Sequence, residues 1–135
     1  MVSNAECWQL LSGRSLGRLA TSIGGQPEIF PVNFVVQNHT VLFRSAEGTK
    51  LITIVMNNLV AFESDDHDNA CGWSVIVKGK AHILETFADI QEAEDADLRS
   101  WISTLKQRFV RIVPSEITGR RYTFGFEPDR ESSFA

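Results

Sequence analysis

Two very short turns separate three β-like segments near the N-terminus, and this spacing constrains the fold more than any other feature of the sequence. The segments span 16–23, 27–36 and 40–45, with Gly24-Gly25 and Asn38-His39 between them. Parallel strands need a crossover of a dozen or more residues, so connections this short join antiparallel neighbours. The first third of the chain therefore predicts an antiparallel meander.

The remaining elements extend this pattern with short helices and further strands. Ser3-Asn4-Ala5-Glu6 has the form of a capping box that begins a two-turn helix, which ends near Gly13. Strand order without a regular strand–helix alternation favours a mainly β fold, an antiparallel barrel of six or seven strands with a few short helices. The other predicted elements are a helix following Lys50, strands 59–64, 73–84, 108–113 (ended by Pro114) and 121–127, a loop 65–72, a helix 89–98, a turn or helix 100–106 and a tail 129–135.

Length and charge limit the functional classes. The chain has 135 residues and a net charge of −4, which predicts one domain over 1–135 and argues against a nucleic-acid binder. No apolar run is long enough to span a bilayer, and the N-terminus lacks the basic and apolar regions of a signal peptide. Two cysteines form no disulfide framework. We expect a cytoplasmic protein without a membrane segment.

The sequence offers no protein-based catalytic centre. The acidic stretch 65–68 has no second histidine or cysteine at ligand spacing, so we predict no metal site. Residues 13–17 match G-x-S-x-G, but the predicted helix precedes the serine and the strand follows it, the reverse of a nucleophile elbow. Any chemistry would therefore come from a cofactor.

Residues 43–50 (FRSAEGTK) carry the composition of a phosphate site. Arg44 provides a planar fork of donors and Lys50 a point charge, while Gly48 allows close approach of the backbone. A helix beginning at Lys50 would direct its free N–H groups to the same place. By itself the stretch is more typical of a solvated turn than of a phosphate site.

Three motifs taken together resemble the FMN-binding split-barrel family, of which pyridoxamine 5'-phosphate oxidase is the best-known member. They are 28–34 (EIFPVNF), 43–50 and 72–81 (GWSVIVKGKA). The late segments 108–114 and 117–121 are similar to a short actinobacterial branch of that family. The resemblance implies a homodimer that binds FMN between its subunits.

The resemblance also implies a role for four groups of residues. One group would line the isoalloxazine with its backbone, the second would follow the ribityl chain and phosphate, the third would hold the phosphate, and the fourth would reach the flavin from the partner subunit. In that order the groups are Pro31, Val32 and Asn33; Phe43, Arg44 and Ser45; Gly48, Thr49 and Lys50; and Trp73, Ser74 and Val75. Pro31 cannot donate to a ladder, which predicts an edge, a bulge or an opening in its strand.

The implied function is an FMN-dependent oxidoreductase acting on a small molecule. Pyridoxamine phosphate is not the expected substrate, because Thr49 replaces an arginine of the oxidase and Trp73-Ser74 replaces an Arg-Gln pair. The alternatives are a flavin-binding protein without turnover, a user of deazaflavin or haem, a reductase of nitroaromatic compounds and a pure interaction module. A deazaflavin user would need a basic groove, for which Arg108, Arg111, Arg120 and Arg121 are candidates.

Overall fold

The computed structural model describes residues 1–46, 48–96 and 107–124, which form three helices and six strands. None of the described helices has the length and hydrophobicity required to cross a bilayer. In chain order the elements are α1 Asn4–Ser12, β1 Leu16–Ile23, β2 Gln26–Gln37, β3 Thr40–Ala46, α2 Thr49–Met56, β4 Leu59–His67, β5 Cys71–Ile83, α3 Phe87–Glu94 and β6 Gln107–Thr123.

The six strands close into one antiparallel barrel in the order β1-β2-β3-β6-β5-β4. This confirms the predicted mainly β antiparallel barrel. The two short turns have positive φ at both central residues, at Gly24 and Gly25 and again at Asn38 and His39. That backbone matches the right-handed twist of the flanking strands, which is why glycine and asparagine occur there.

Alternating apolar residues fill the barrel, and two helices close it. Phe34, Phe43 and Phe62 are at most 1% exposed, and α2 contributes Leu51 and Ile54 to the same core. The β-branched residues of α2 are tolerated in a helix because packing against the barrel outweighs their weak intrinsic preference. Ser3 accepts a hydrogen bond from the Glu6 amide at the start of α1, which confirms the predicted N-cap.

Pro114 does not end a strand, contrary to the prediction. The segments 108–113 and 121–127 were expected to be separate, but β6 runs without interruption from Gln107 to Thr123. Its register with β5 shifts between Lys78 and Gly79, so that Pro114 lies opposite Gly79. A bulge accommodates a residue without an N–H, and the bulge beside Gly79 is therefore what allows the proline to stay in the strand.

Several element boundaries also differ. The predicted loop 65–72 is mostly strand, because β4 continues to His67 and β5 begins at Cys71. Asp68 closes the intervening turn by accepting hydrogen bonds from the Ala70 and Cys71 amides, and these bonds lower the pKa of its carboxyl group. Helix α3 begins two residues before the predicted start and ends at Glu94. The predicted element 100–106 and the tail 129–135 lie outside the described residues.

The bulge predicts a strict requirement for glycine at position 79. A Cβ atom there would lie 2.1 Å from the Val113 carbonyl oxygen and 2.8 Å from Pro114 Cα, both backbone atoms that cannot rotate away. We expect Gly79→Ala to lower the free energy of unfolding by about 2 kcal/mol, as overpacking does elsewhere. Urea unfolding measures it, with Gly13→Ala as the matched control because its nearest atom would be 3.7 Å away. An equal effect of both substitutions would contradict the close packing at the bulge.

Candidate functional site

The ladder between β2 and β3 opens partway along the two strands. Phe34–Gln37 pair with β3, whereas Gln26–Asn33 pair only with β1. Beyond the Phe34–Phe43 pair, β3 continues against β6 alone. The β3-facing edge of β2 is therefore open from Asn33 back through Pro31, the third of the possibilities predicted from the proline. We refer to this opening, bordered by 31–33 and 44–46, as the β2–β3 notch.

Arg44 lies on the β3 side of the notch. Its guanidinium carbon is 4.9 Å from the centroid of the Phe109 ring, which is its cross-strand neighbour on β6. Its Nε atom is buried and has no hydrogen-bond partner. A buried donor without an acceptor costs about 1–3 kcal/mol, so this geometry is suited to an anion that completes it. Ser45, the next residue, is buried, and its hydroxyl group donates to the Ala46 carbonyl oxygen.

Gly48, Thr49 and Lys50 begin helix α2 at the end of the notch. Gly48 is the N-cap residue, with φ of 154°, and no side chain caps the first amides of the helix. Free N–H groups at a helix N-terminus favour an anion. The Lys50 ammonium lies 5.7 Å from the centroid of Phe30 on β2, and burial lowers the pKa of Lys50.

Arg44 and Lys50 differ from most arginines of the described chain in having no carboxylate partner there. Four other arginines form ion pairs, and two of these arginines pair with Asp65 and Asp66 of the acidic stretch 65–68. Within the described residues, then, the notch concentrates positive charge that the protein does not neutralise. The pairs are Arg14–Asp66 at 3.2 Å, Arg18–Glu63 at 3.0 Å, Arg18–Asp65 at 3.2 Å, Arg111–Glu92 at 3.4 Å and Arg121–Glu6.

Some predicted site residues can contribute only through their backbone. The side chains of Val32, Phe43 and Val75 are at most 4% exposed and belong to the barrel core. Asn33 donates from its side-chain amide to the Ser15 carbonyl oxygen at 3.2 Å, while Thr49 is exposed. The notch itself is therefore formed mainly by Pro31, Asn33, Arg44 and the start of α2.

Trp73, Ser74 and Val75 lie on β5 and do not border the notch within one chain. Ser74 pairs with Asp65 on β4, and the registers of β4 with β1 and of β1 with β2 place that level of the barrel beside Leu16 and Asn33. Three strand spacings of about 4.8 Å each therefore separate Ser74 from Asn33. That this third motif reaches the ligand from a second copy stays a prediction.

Two aromatic residues and one cavity at the site were not predicted. Phe109 on β6 lies against Arg44, and Phe30 on β2 lies against Lys50. Their strands are far apart in the sequence, and the alternation of side chains along β6 is the one sequence signal for the face that Phe109 occupies. The cavity has a volume of about 320 Å³ and lies beside α2. We call it the α2 cavity; its lining residues are Gly48, Leu51, Ile52, Val55, Met56, Ile83 and Arg108.

Comparison with known proteins gives consistent matches over most of the chain. Residues 3–121 match the pyridoxamine 5'-phosphate oxidase family. An uncharacterized protein of Mycobacterium tuberculosis is 56% identical over 101 residues, which cover 75% of this chain and 92% of that protein.

Two solved structures share the fold. The FAD binding protein from Mycobacterium smegmatis is 52% identical, with a TM-score of 0.83 and coverage of 92% of this chain and 98% of that one. A candidate pyridoxamine 5'-phosphate oxidase from Corynebacterium glutamicum is 40% identical, with a TM-score of 0.86 and coverage of 93% and 94%. The chain therefore belongs to the pyridoxamine 5'-phosphate oxidase-like family of split-barrel proteins.

Proposed function

We propose that this protein binds a flavin nucleotide in the β2–β3 notch and uses it as an oxidoreductase cofactor. The riboflavin 5'-phosphate group, as in FMN, is held by Arg44, Lys50 and the first amides of α2. The observation that carries the proposal is the buried Arg44 Nε without an acceptor, together with a second cation, at the start of α2, that has no carboxylate partner in the described chain. The similarity to an FAD binding protein supports the same class of ligand.

The charges of the site and the ligand are complementary. A phosphate monoester carries about −1.5 to −2 charges near pH 7. Arg44 and Lys50 neutralise this charge, and the start of α2 adds N–H donors. The isoalloxazine then lies along the open edge of β2, where Asn33 and its neighbours present backbone groups that no strand occupies. When bound, the flavin accepts or donates hydride at N5, so the protein's own role is to bind and orient.

A second copy of the chain completes the site in this proposal. The outer face of β2, β1, β4 and β5 exposes Ile29 and Ile76, which are 70% and 38% accessible, around Ala20 and Ala61. A cleft of about 240 Å³ lies on this face. A homodimer formed here covers apolar surface that a monomer leaves in water, and it allows the partner subunit to supply its Trp73–Val75 segment.

The competing cofactors are less well matched by the described residues. Two of the four arginines suggested for a deazaflavin groove are engaged within the chain, because Arg111 donates to Thr40 and Gln37 and also pairs with Glu92, while Arg121 pairs with Glu6. Haem ligation requires an axial side chain at the site. His39, one of the histidines that could provide it, instead stacks on Trp8 at the β2–β3 turn. A flavin-binding protein without turnover remains the second candidate, since the notch explains binding but names no substrate.

The phosphate assignment predicts selective loss of phosphorylated flavin. We expect Arg44→Ala combined with Lys50→Ala to weaken FMN binding more than 100-fold, because each charge-assisted hydrogen bond contributes about 1.5–3 kcal/mol. Riboflavin, which lacks the phosphate, should bind the variant and the wild type about equally. Flavin fluorescence titration measures both affinities.

The matched control for this experiment removes two cations outside the notch, with Arg14→Ala and Lys78→Ala in one chain. It should leave FMN affinity unchanged. Equal losses of FMN and riboflavin in the notch variant would show that Arg44 and Lys50 do not hold the phosphate. Failure of the wild type to bind any flavin would overturn the proposed function itself.

The buried Lys50 predicts a conflict between stability and binding. Its pKa is lowered from 10.5, so the unfolded chain binds the proton more tightly and the charged lysine opposes folding below the folded-state pKa. Ligand-free Lys50→Met should therefore be at least as stable as the wild type at pH 7. The wild type should gain stability relative to the variant as pH rises toward 10.5. Urea unfolding across this range, with Lys78→Met as the exposed-lysine control, measures the difference; a less stable Lys50→Met would contradict it.

The dimer is tested by placing charge on the exposed outer face. Ile76→Glu buries a carboxylate without a partner if a second copy covers it, so we expect the mass in solution to fall from that of a dimer to that of a monomer. Light scattering after size-exclusion chromatography gives the mass. Phe87→Glu, at an exposed position of α3, is the control and should remain dimeric. A monomeric wild type would remove the role given to Trp73–Val75.

A further inference from the structure

We propose that Phe109 positions Arg44 for the flavin phosphate, so that a small apolar cluster outside the barrel sets the affinity of the site for phosphorylated flavins. This role rests on the proposed function, because Arg44 has a phosphate to bind only if the β2–β3 notch holds one. Phe109 does not itself hold the phosphate. It acts through Arg44, whose guanidinium group it keeps in one place before the ligand arrives.

Arg44 and Phe109 are direct cross-strand neighbours on β3 and β6. The guanidinium carbon of Arg44 lies 4.9 Å from the centroid of the Phe109 ring. This distance is within the roughly 6 Å over which an aromatic face attracts a cation. The contact restricts a long side chain in the free protein, so less conformational freedom remains to be lost when a ligand binds.

The contact with the ring leaves the hydrogen-bond donors of Arg44 available. An aromatic face attracts a cation through its quadrupole and does not occupy the N–H groups as a carboxylate would. The buried Nε of Arg44 accordingly has no hydrogen-bond partner. Arg111, two residues after Phe109 on β6, instead directs its donors to Thr40 and Gln37. Arg44 is thus held by a partner that an incoming phosphate does not have to displace.

Phe109 is itself held by an apolar cluster that is separate from the barrel core. Its side chain is 8% exposed and packs with Leu42, Leu84 and Ala93, the last of which belongs to α3. The Leu84 amide also donates to the Phe109 carbonyl oxygen at 2.9 Å. The place of the ring is therefore set by packing beneath α3, which does not depend on a ligand.

Replacing the aromatic ring by an aliphatic side chain tests this role. Phe109→Leu removes the aromatic face and keeps an apolar residue in the cluster. We expect it to weaken FMN binding about tenfold, a difference of about 1.4 kcal/mol, and to leave riboflavin affinity within about twofold of the wild type. Phe109→Met is a second non-aromatic variant, whose flexible side chain fills the space in a different way. Fluorescence titration gives the dissociation constants, and circular dichroism establishes that each variant is folded.

A double-mutant cycle separates the positioning of Arg44 from a general effect on the fold. Once Arg44→Ala has removed the guanidinium group, adding Phe109→Leu should change FMN affinity by less than about twofold. Leu84→Ala is the matched control, because it removes as many carbon atoms from the same cluster as Phe109→Leu does but keeps the ring. It should lower the free energy of unfolding, measured in urea, without changing the ratio of FMN to riboflavin affinity.

The outcomes distinguish this role from the proposed function. If the wild type binds neither flavin, or if Arg44→Ala leaves FMN affinity unchanged, the phosphate assignment fails and the positioning role fails with it. If Arg44→Ala weakens FMN binding but Phe109→Leu does not, the phosphate assignment is retained and the positioning role is overturned. Equal losses of FMN and riboflavin in Phe109→Leu, or an undiminished loss in the Arg44→Ala background, would likewise overturn it.

Discussion

Strand β6 closes the barrel, and the candidate site follows from the way its two neighbours are displaced along it. β3 pairs with the first part of β6, while β5 pairs with it from Ile83 near that end to Cys71 at the other. Because the end of β3 pairs with β6 along one edge, the other edge of that end has no strand beside it. The β2–β3 ladder then stops at Phe34–Phe43, and Pro31 sits on the edge that is left open. A strand edge without partners, bordered by cations, is the physical basis of the proposed flavin site.

The charge distribution separates the cations of the ion pairs from the two cations of the proposed flavin site. Arg18 and Arg111 form ion pairs that hold neighbouring strands and helix α3 together. Arg44 and Lys50 instead rest against the Phe109 and Phe30 rings. An aromatic face attracts a cation but leaves its outward hydrogen-bonding capacity available. Burial without a counter-ion is unfavourable for the free protein, and an anionic ligand that supplies the missing charge turns this cost into affinity.

Helix α2 connects the barrel to the proposed ligand site. Its inner residues, Leu51 and Ile54, belong to the core, so the helix cannot move without disturbing the packing of the barrel. Its first residue follows Gly48, whose φ of 154° suits glycine alone and whose lack of a side chain leaves the amides uncapped. Its outer face lines the α2 cavity. In the proposed site, one short helix thereby provides a rigid position, an end suited to an anion and an apolar wall.

The fold class and the phosphate segment could be read from local sequence, because turns, alternation and helix caps act over a few residues. Gly24-Gly25, Asn38-His39 and the N-cap Ser3 fall into this group. The continuity of β6 through Pro114 could not be read from local sequence, because it depends on Gly79, which lies thirty-five residues away on another strand.

The site shows the same division. The sequence by itself determined which residues can bind phosphate, because charge and backbone freedom are properties of Arg44, Gly48 and Lys50. Only the tertiary structure decided that Phe30 and Phe109 support the cations, that Val32, Phe43 and Val75 are buried in the core, and that Trp73 lies on a strand that does not border the notch. Those outcomes depend on strand pairing and barrel closure, which join residues separated by many tens of positions, and no local pattern encodes such distances.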